Sequence, residues 1–171
     1  MNDTEKIHKV FVGIGSNIEP KLHIRKCVDT LNQNFDDLRL SPVYESSSMG
    51  FNGPNFYNLA ASFITSYDLV TLKKTLNEIE TLNGRSLGEM KFSSRTLDID
   101  ILYYDDIVDR NLNIPRNEIT KFDFVLRPLY DLAPSHIHPE TLMTHNKMIS
   151  ETIHNKMIIK KIDLALSLIH I

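Results

Sequence analysis

The sequence predicts an α+β fold. Three observations carry the prediction: an order of patterns that runs strand, helix, strand, strand, helix, strand; an alternating apolar run, LDIDIL, that closes that order; and an ordinary globular composition. That order matches the ferredoxin-like βαββαβ antiparallel sheet, with helices on one face and C-terminal additions after it, and leaves the second sheet face free to bind something. The 171 residues are 42% hydrophobic and 24% charged, enough for one domain with a real core.

Each element has a local reason. Val10, Val12 and Ile14 alternate as in a strand, Gly13 and Gly15 admit a turn, and Pro20 opens a helix in which Ile24, Cys27, Val28 and Leu31 recur at helical spacing. A second strand is expected from Leu38 to Tyr44 and a third from Phe56 to Thr65, joined by the long loop ESSSMGFNGPN. Asp68 can cap the next helix, striped by Leu69, Leu72, Leu76 and Ile79 and ended by Gly84. The loop RSLGEMKFSS then leads into the strand of Asp98 and Asp100. Beyond it, residues 122–126 read as a short extended piece, RPLYDLAP as a turn of helix, and TLMTHNKMISETI as a helix aligning Leu142, Ile149 and Ile153. Periodicity leaves the tail KMIIKKIDLALSLIHI open between strand and helix.

Composition excludes several function classes. A net charge of −3 argues against nucleic-acid partners, and no apolar run approaches the roughly eighteen residues of a membrane span. MNDTEKIHKV lacks the hydrophobic segment of a signal peptide, so a cytoplasmic location is expected. The single cysteine, Cys27, sits on an apolar stripe and reads as a buried spectator.

The chemistry centres on RTLDIDILYYDD. In a strand Leu97, Ile99 and Ile101 point one way and Asp98 and Asp100 the other, with the two aspartate α-carbons roughly 6.6 Å apart. Like charges so close repel unless water screens them or a cation sits between them. A solvated face of an edge strand is one reading; a magnesium site is the other, because magnesium takes one or two carboxylates and keeps its remaining positions for water and phosphate. Arg85 and Arg95 bracket the preceding loop and could both swing onto a phosphate chain. The turn at Gly13, Gly15, Ser16 and Asn17 resembles a phosphate cradle only superficially, and no G-x-x-x-x-G-K-[ST] occurs. Phe56 and Asn58 share a strand face, which suits either core packing or a flat heterocycle rich in hydrogen-bonding groups. His136 and His138 lack a third ligand and read as loop residues rather than a zinc site.

Taken together, GIGSN, SPVYES, NFYNLA, IETLNGR, SRTLDIDIL and FVLRPLYDLAP followed by HP make the chain resemble the 6-hydroxymethyl-7,8-dihydropterin pyrophosphokinase family of folate biosynthesis, over roughly residues 8–140. The resemblance implies transfer of pyrophosphate from ATP to a pterin alcohol, giving AMP and the pterin pyrophosphate. It also implies magnesium, as two ions, on Asp98 and Asp100; mobile phosphate-contacting Arg85 and Arg95; and a pterin ring held by Asn58 and sandwiched between Phe56 and Phe124. ATP contacts are implied at Asn77, Glu80, Arg116 and Lys121. The partners expected are these small molecules alone, with no nucleic acid or membrane, for a monomer forming one domain over 1–171 whose residues 155–171 extend past the resemblance.

The chain departs from the family pattern at several positions. Phe92, Ser93 and Ser94 precede Arg95 where a W-x-P-R is usual, Leu87 replaces a loop arginine, and Phe122 stands for another arginine beside Lys121. Arg116 and Asn117 replace a histidine and its neighbour, serines 46–48 replace a proline-bearing loop, and there is no tryptophan. Leu87 and Phe92 favour an alternative, a diverged non-catalytic pterin- or nucleotide-binding module on the same fold. The bare D-x-D would also admit a different magnesium-dependent phosphoryl enzyme.

Overall fold

A computed structural model describes residues 6–48, 52–84, 95–151 and 155–166. Strand β1 (His8–Ser16) is followed by α1 (Pro20–Asn34), β2 (Asp36–Leu40), β3 (Val43–Ser46), β4 (Phe56–Thr65), α2 (Leu69–Leu82) and β5 (Asp98–Tyr104). A 3-10 turn at Asn117–Thr120, α3 (Asp123–Leu132), α4 (His145–Glu151) and β6 (Ile158–Ile162) complete the order. The six strands form one antiparallel sheet in the order β5-β1-β4-β3-β6, with β2 also on β4. This is the ferredoxin-like arrangement, with its second strand split into β2 and β3.

The split falls at Ser41–Pro42. Proline has no N–H to give a sheet ladder, and Ser41 turns inward instead, its N–H donating to the Ala60 carbonyl and its hydroxyl accepting from the Ala60 N–H. The single strand expected over 38–44 is therefore two. Likewise β1 continues through Ser16, so Gly13 and Gly15 lie inside a strand and form no turn.

One sheet face packs on α1 and α2. Val10, Val12 and Ile14 meet Ile24, Cys27, Leu31, Leu72, Leu76, Ile79, Ile99 and Ile101 in the larger core. Cys27 is buried there, and burial pushes its thiol far above the ordinary range, consistent with a spectator. Asp68 caps α2 by accepting from the Thr71 N–H at 2.8 Å, and Gly84 takes the positive φ of 87° that glycine reaches without a Cβ penalty.

The other face is not free along its whole length. Phe11, Ala60, Leu102 and Tyr103 are covered by Ile119, Leu126, Leu129 and Met148 in a second core. Residues 123–126 belong to α3 rather than to an extended piece: Leu126 and Leu129, three apart, both reach this core, a contact strand geometry could not give. Helix α4 begins only at His145, because Leu142 has a φ of 62°, and Met148 is its buried apolar residue. The tail contributes β6, whose Ile162 pairs with Val43 and whose Lys161 pairs with Tyr44.

Candidate active site

The uncovered end of the second face is where the chemistry-bearing side chains meet. In the β1–β5 register Gly15 pairs with Asp98 and Gly13 with Asp100. Directly paired residues share a face, so each carboxylate has a residue without a side chain as its cross-strand neighbour. On the other flank Gly15 pairs with Asn58, and Asn58 and Phe56 pair in turn with Tyr44 and Ser46. Thus β5, β1, β4 and β3 present, side by side, two acids, two glycines, an amide with an aromatic ring, and a hydroxyl.

Space favours glycine at position 15. A Cβ there would stand 3.0 Å from the Asn58 amide oxygen, closer than side chains ordinarily approach. Asn58 itself is held, its Nδ2 donating to the Ser46 hydroxyl at 2.7 Å. An amide has two N–H donors and an acceptor oxygen, so this bond sets its rotamer without exhausting its capacity.

Electrostatics favour a cation at the acids. Burial first, and the neighbouring Asp98 carboxylate second, push Asp100 well above the usual carboxylate range, outweighing the pull of Arg116. Arg116 stands 3.5 Å from the Asp100 carboxylate and 2.6 Å from that of Glu118, so its charge is divided between two acids. Asp100 nonetheless keeps 32% of its side chain exposed, open to water or a ligand. Among the described residues no third His, Cys, Asp or Glu joins the pair to complete a protein-only metal cage. Two carboxylates on an open face fit magnesium, which retains solvent and phosphate oxygens.

Other candidates are placed less directly. Glu80 is only 5% exposed and its carboxylate accepts from the Ile99 N–H at 2.9 Å, bolting α2 to the strand of the acids. Asn77 is exposed one turn earlier on α2 and Lys121 is exposed just before α3. Phe124, on the first turn of α3, stands beside Phe122, whose ring stacks on it at 5.2 Å. Arg95 is buried, and its backbone is clasped by Asn17: the Arg95 N–H donates to the Asn17 amide oxygen at 2.7 Å and the Asn17 N–H to the Arg95 carbonyl at 3.0 Å. The loop is therefore anchored at this end, which narrows the swing expected of Arg95. Arg85, Leu87 and Phe92 lie outside the described residues.

The sequence reading gave no site role to Asn17, Ser46 or Glu118, although it named the first two. Asn17 also donates to the Pro54 carbonyl at 3.0 Å, joining the ends of both loops that border the face. A short polar residue just after an alternating strand was the available signal. His136 and His138 lie in loop backbone, as expected, but turn inward: with His145 they gather round Tyr103, and burial lowers the pKa of all three.

A family model described as 7,8-dihydro-6-hydroxymethylpterin-pyrophosphokinase (HPPK) matches residues 11–134. The chain belongs to this family. It is 35% identical to the 2-amino-4-hydroxy-6-hydroxymethyldihydropteridine pyrophosphokinase of Aquifex aeolicus, covering 76% of this chain and 83% of that one. Against the enzyme of the same name from Pseudomonas aeruginosa it is also 35% identical, over 75% and 82% of the two chains. The fold is shared with a Plasmodium falciparum HPPK-DHPS crystallised with pterin and p-hydroxybenzoate, at a TM-score of 0.67 and 13% identity, over 88% of this chain and 42% of that longer one. The HPPK match takes in the acids, both glycines, Asn58 and the start of α3, whereas β6 lies beyond it.

Proposed function

We propose that the sheet face from Asp98 to Phe56 is the active site with which this chain, an ATP-dependent pyrophosphokinase of folate biosynthesis, transfers pyrophosphate from ATP to 6-hydroxymethyl-7,8-dihydropterin. The observation that carries the assignment is the register, which sets Asp98 and Asp100 opposite glycines and one strand away from Asn58. Asn58 reads the pterin edge, with Phe56 and Phe124 on its ring faces. The hydroxymethyl oxygen attacks the β-phosphorus of ATP in line, the bond from that phosphorus to the α-phosphate oxygen breaks, and AMP leaves.

Asp98 and Asp100 hold magnesium, two ions in the fullest form of this reading. Bound there, magnesium supplies charge neutralisation on the triphosphate. Arg85 and Arg95 face the transferring group, while Asn77, Glu80, Arg116 and Lys121 border the nucleotide. For Glu80 the role includes setting the height of β5 through Ile99, and for Arg116 it includes sharing Asp100 with a cation. We place the reaction in the cytoplasm and in a monomer whose tail completes one domain; no helix among the described residues is long and apolar enough to cross a membrane.

The deciding experiment incubates the chain with magnesium, ATP and the pterin alcohol and follows phosphorus NMR. AMP together with a pterin pyrophosphate is the expected result. ADP or inorganic phosphate would point to a different phosphoryl enzyme, and pterin binding without turnover to a non-catalytic relative.

A further inference from the structure

The C-terminal segment after residue 154 lies outside the family match, yet it runs between two parts of the candidate pterin site. Asn155 pairs with Phe122 in parallel: its N–H donates to the Lys121 carbonyl at 2.9 Å, and its carbonyl accepts from the Asp123 N–H at 3.3 Å. The Asp123 carboxylate then takes two consecutive amides of the tail, Met157 N–H on Oδ1 at 2.9 Å and Ile158 N–H on Oδ2 at 3.1 Å. One residue on, the Met157 carbonyl accepts from the Ser47 N–H at 3.0 Å, and Ile158 pairs with Ser46 at the head of β6.

Five hydrogen bonds thus tie the first turn of α3, which carries Phe124, to the exit of β3. That exit holds the Asn58 amide through Ser46 and pairs with Phe56. Asp123 is the centre of the tie. An acid in the first turn of a helix is favoured by the helix dipole alone, but this one spends both oxygens on amides 34 and 35 residues away.

We propose that Asp123 is a positioning residue for the pterin: with the 155–158 backbone it sets the gap between Phe124 on one side and Phe56 with Asn58 on the other. This rests on the pyrophosphokinase reading above. A flat ring gripped on both faces needs two stacking distances of about 3.5–4 Å at once, and a gap of 0.5–1 Å forfeits roughly a quarter to a half of each contact. Binding of the ring is therefore sensitive to the brace, whereas the nucleotide, bordered by Asn77, Glu80 and Arg116, meets the brace only at Lys121, whose backbone and not its side chain is tied to Asn155.

The test compares the unmodified chain with Asp123→Ala, Asp123→Asn and Asp123→Glu for steady-state AMP formation, pterin binding by the pterin's own fluorescence, and melting temperature. Asp123→Ala should raise the pterin KM about tenfold while changing the ATP KM by less than about twofold. Asp123→Asn keeps one acceptor oxygen and should fall between, and it carries the test if Asp123→Ala does not fold; Asp123→Glu, which restores both oxygens, should recover most of the pterin affinity. An unchanged pterin KM, or equal losses for both substrates that follow the melting temperature, overturns the proposal. An unmodified chain that forms no AMP overturns the pyrophosphokinase reading and this inference with it.

Discussion

The two ends of the second sheet face are built on the same strands and do opposite work. At one end Phe11, Ala60, Leu102 and Tyr103 are sealed by α3 and α4 into a dry core. At the other, a few residues along the same β1, β4 and β5, stand Gly15, Asn58, Phe56, Asp98 and Asp100. The boundary runs beside Gly13, where a Cβ would meet Leu102 at 3.5 Å. The comparison teaches that the helices reserve a ligand surface by stopping short of it. At the covered end Tyr103 and His145 satisfy each other; at the open end, like charges are left together.

The largest contrast should come from the acids. Asp98→Asn or Asp100→Asn should cut AMP formation by about a hundredfold or more while leaving the metal-free melting temperature unchanged or slightly higher, since each removes a repulsion. Phosphorus NMR and calorimetry on the same samples check both halves. Unmodified rates, or large losses of metal-free stability in both variants, would make the pair structural.

Next in size, Leu126→Ala at the covered end should cost about 2–5 kcal/mol of stability by chemical denaturation and leave the substrate KM values alone. If pterin KM rises in step, the two ends are not energetically separate.

Acid should also act through the covered end. His145 has no exposed surface; its Nδ1–H lies against the Ala133 and Leu129 carbonyls, and Nε2 accepts from the Tyr103 hydroxyl at 2.9 Å. Burial is the main cause that lowers its pKa from 6.5 to about 4. The unfolded chain therefore binds the proton more readily, so this contribution is complete above about pH 6.5 and is lost as pH falls towards 4, on the order of 3 kcal/mol. Burial lowers His136 and His138 in the same direction. Denaturation curves at stepped pH should show this slope, and His145→Gln should flatten it.

The finest test uses neighbouring glycines. Gly15→Ala forces the Asn58 amide to move and should raise the pterin KM several-fold, roughly the 1 kcal/mol of one hydrogen bond. Gly13→Ala meets Leu102 at an ordinary 3.5 Å and should be neutral or slightly stabilising, by about 0.5 kcal/mol. Equal effects at the two positions would erase the boundary.

What could be read from the sequence was what depends on near neighbours. Alternation fixed β4 over 56–65 and set Asp98 and Asp100 on one face; Pro20 and a helical stripe marked α1, and Asp68 its cap on α2. Distant partners decided the rest. FDFVL offers too few residues to separate a period of two from one of 3.6, and only the contacts of Leu126 and Leu129 across the sheet make it helix. The tail becomes a strand because β3 offers an edge, and the histidines turn inward because Tyr103 waits for them. In the site, residue types and faces were visible, but the bonds of Asn17, Ser46 and Glu80 join segments that no local spacing relates.

The outer position of β5 also has a kinetic meaning. Its pairing with β1 joins segments about ninety residues apart, as the contact between His8 and Asp105 across 97 residues records. Such closures are slow, because the entropy of a long loop is lost before the ladder returns anything. Until β5 docks, Asp98 and Asp100 have no glycines opposite them, no Arg116 at their side and no Asn58 a strand away. The chain thus gains its ability to handle ATP only with this long-range pairing, and a half-folded molecule carries no working fragment of the site.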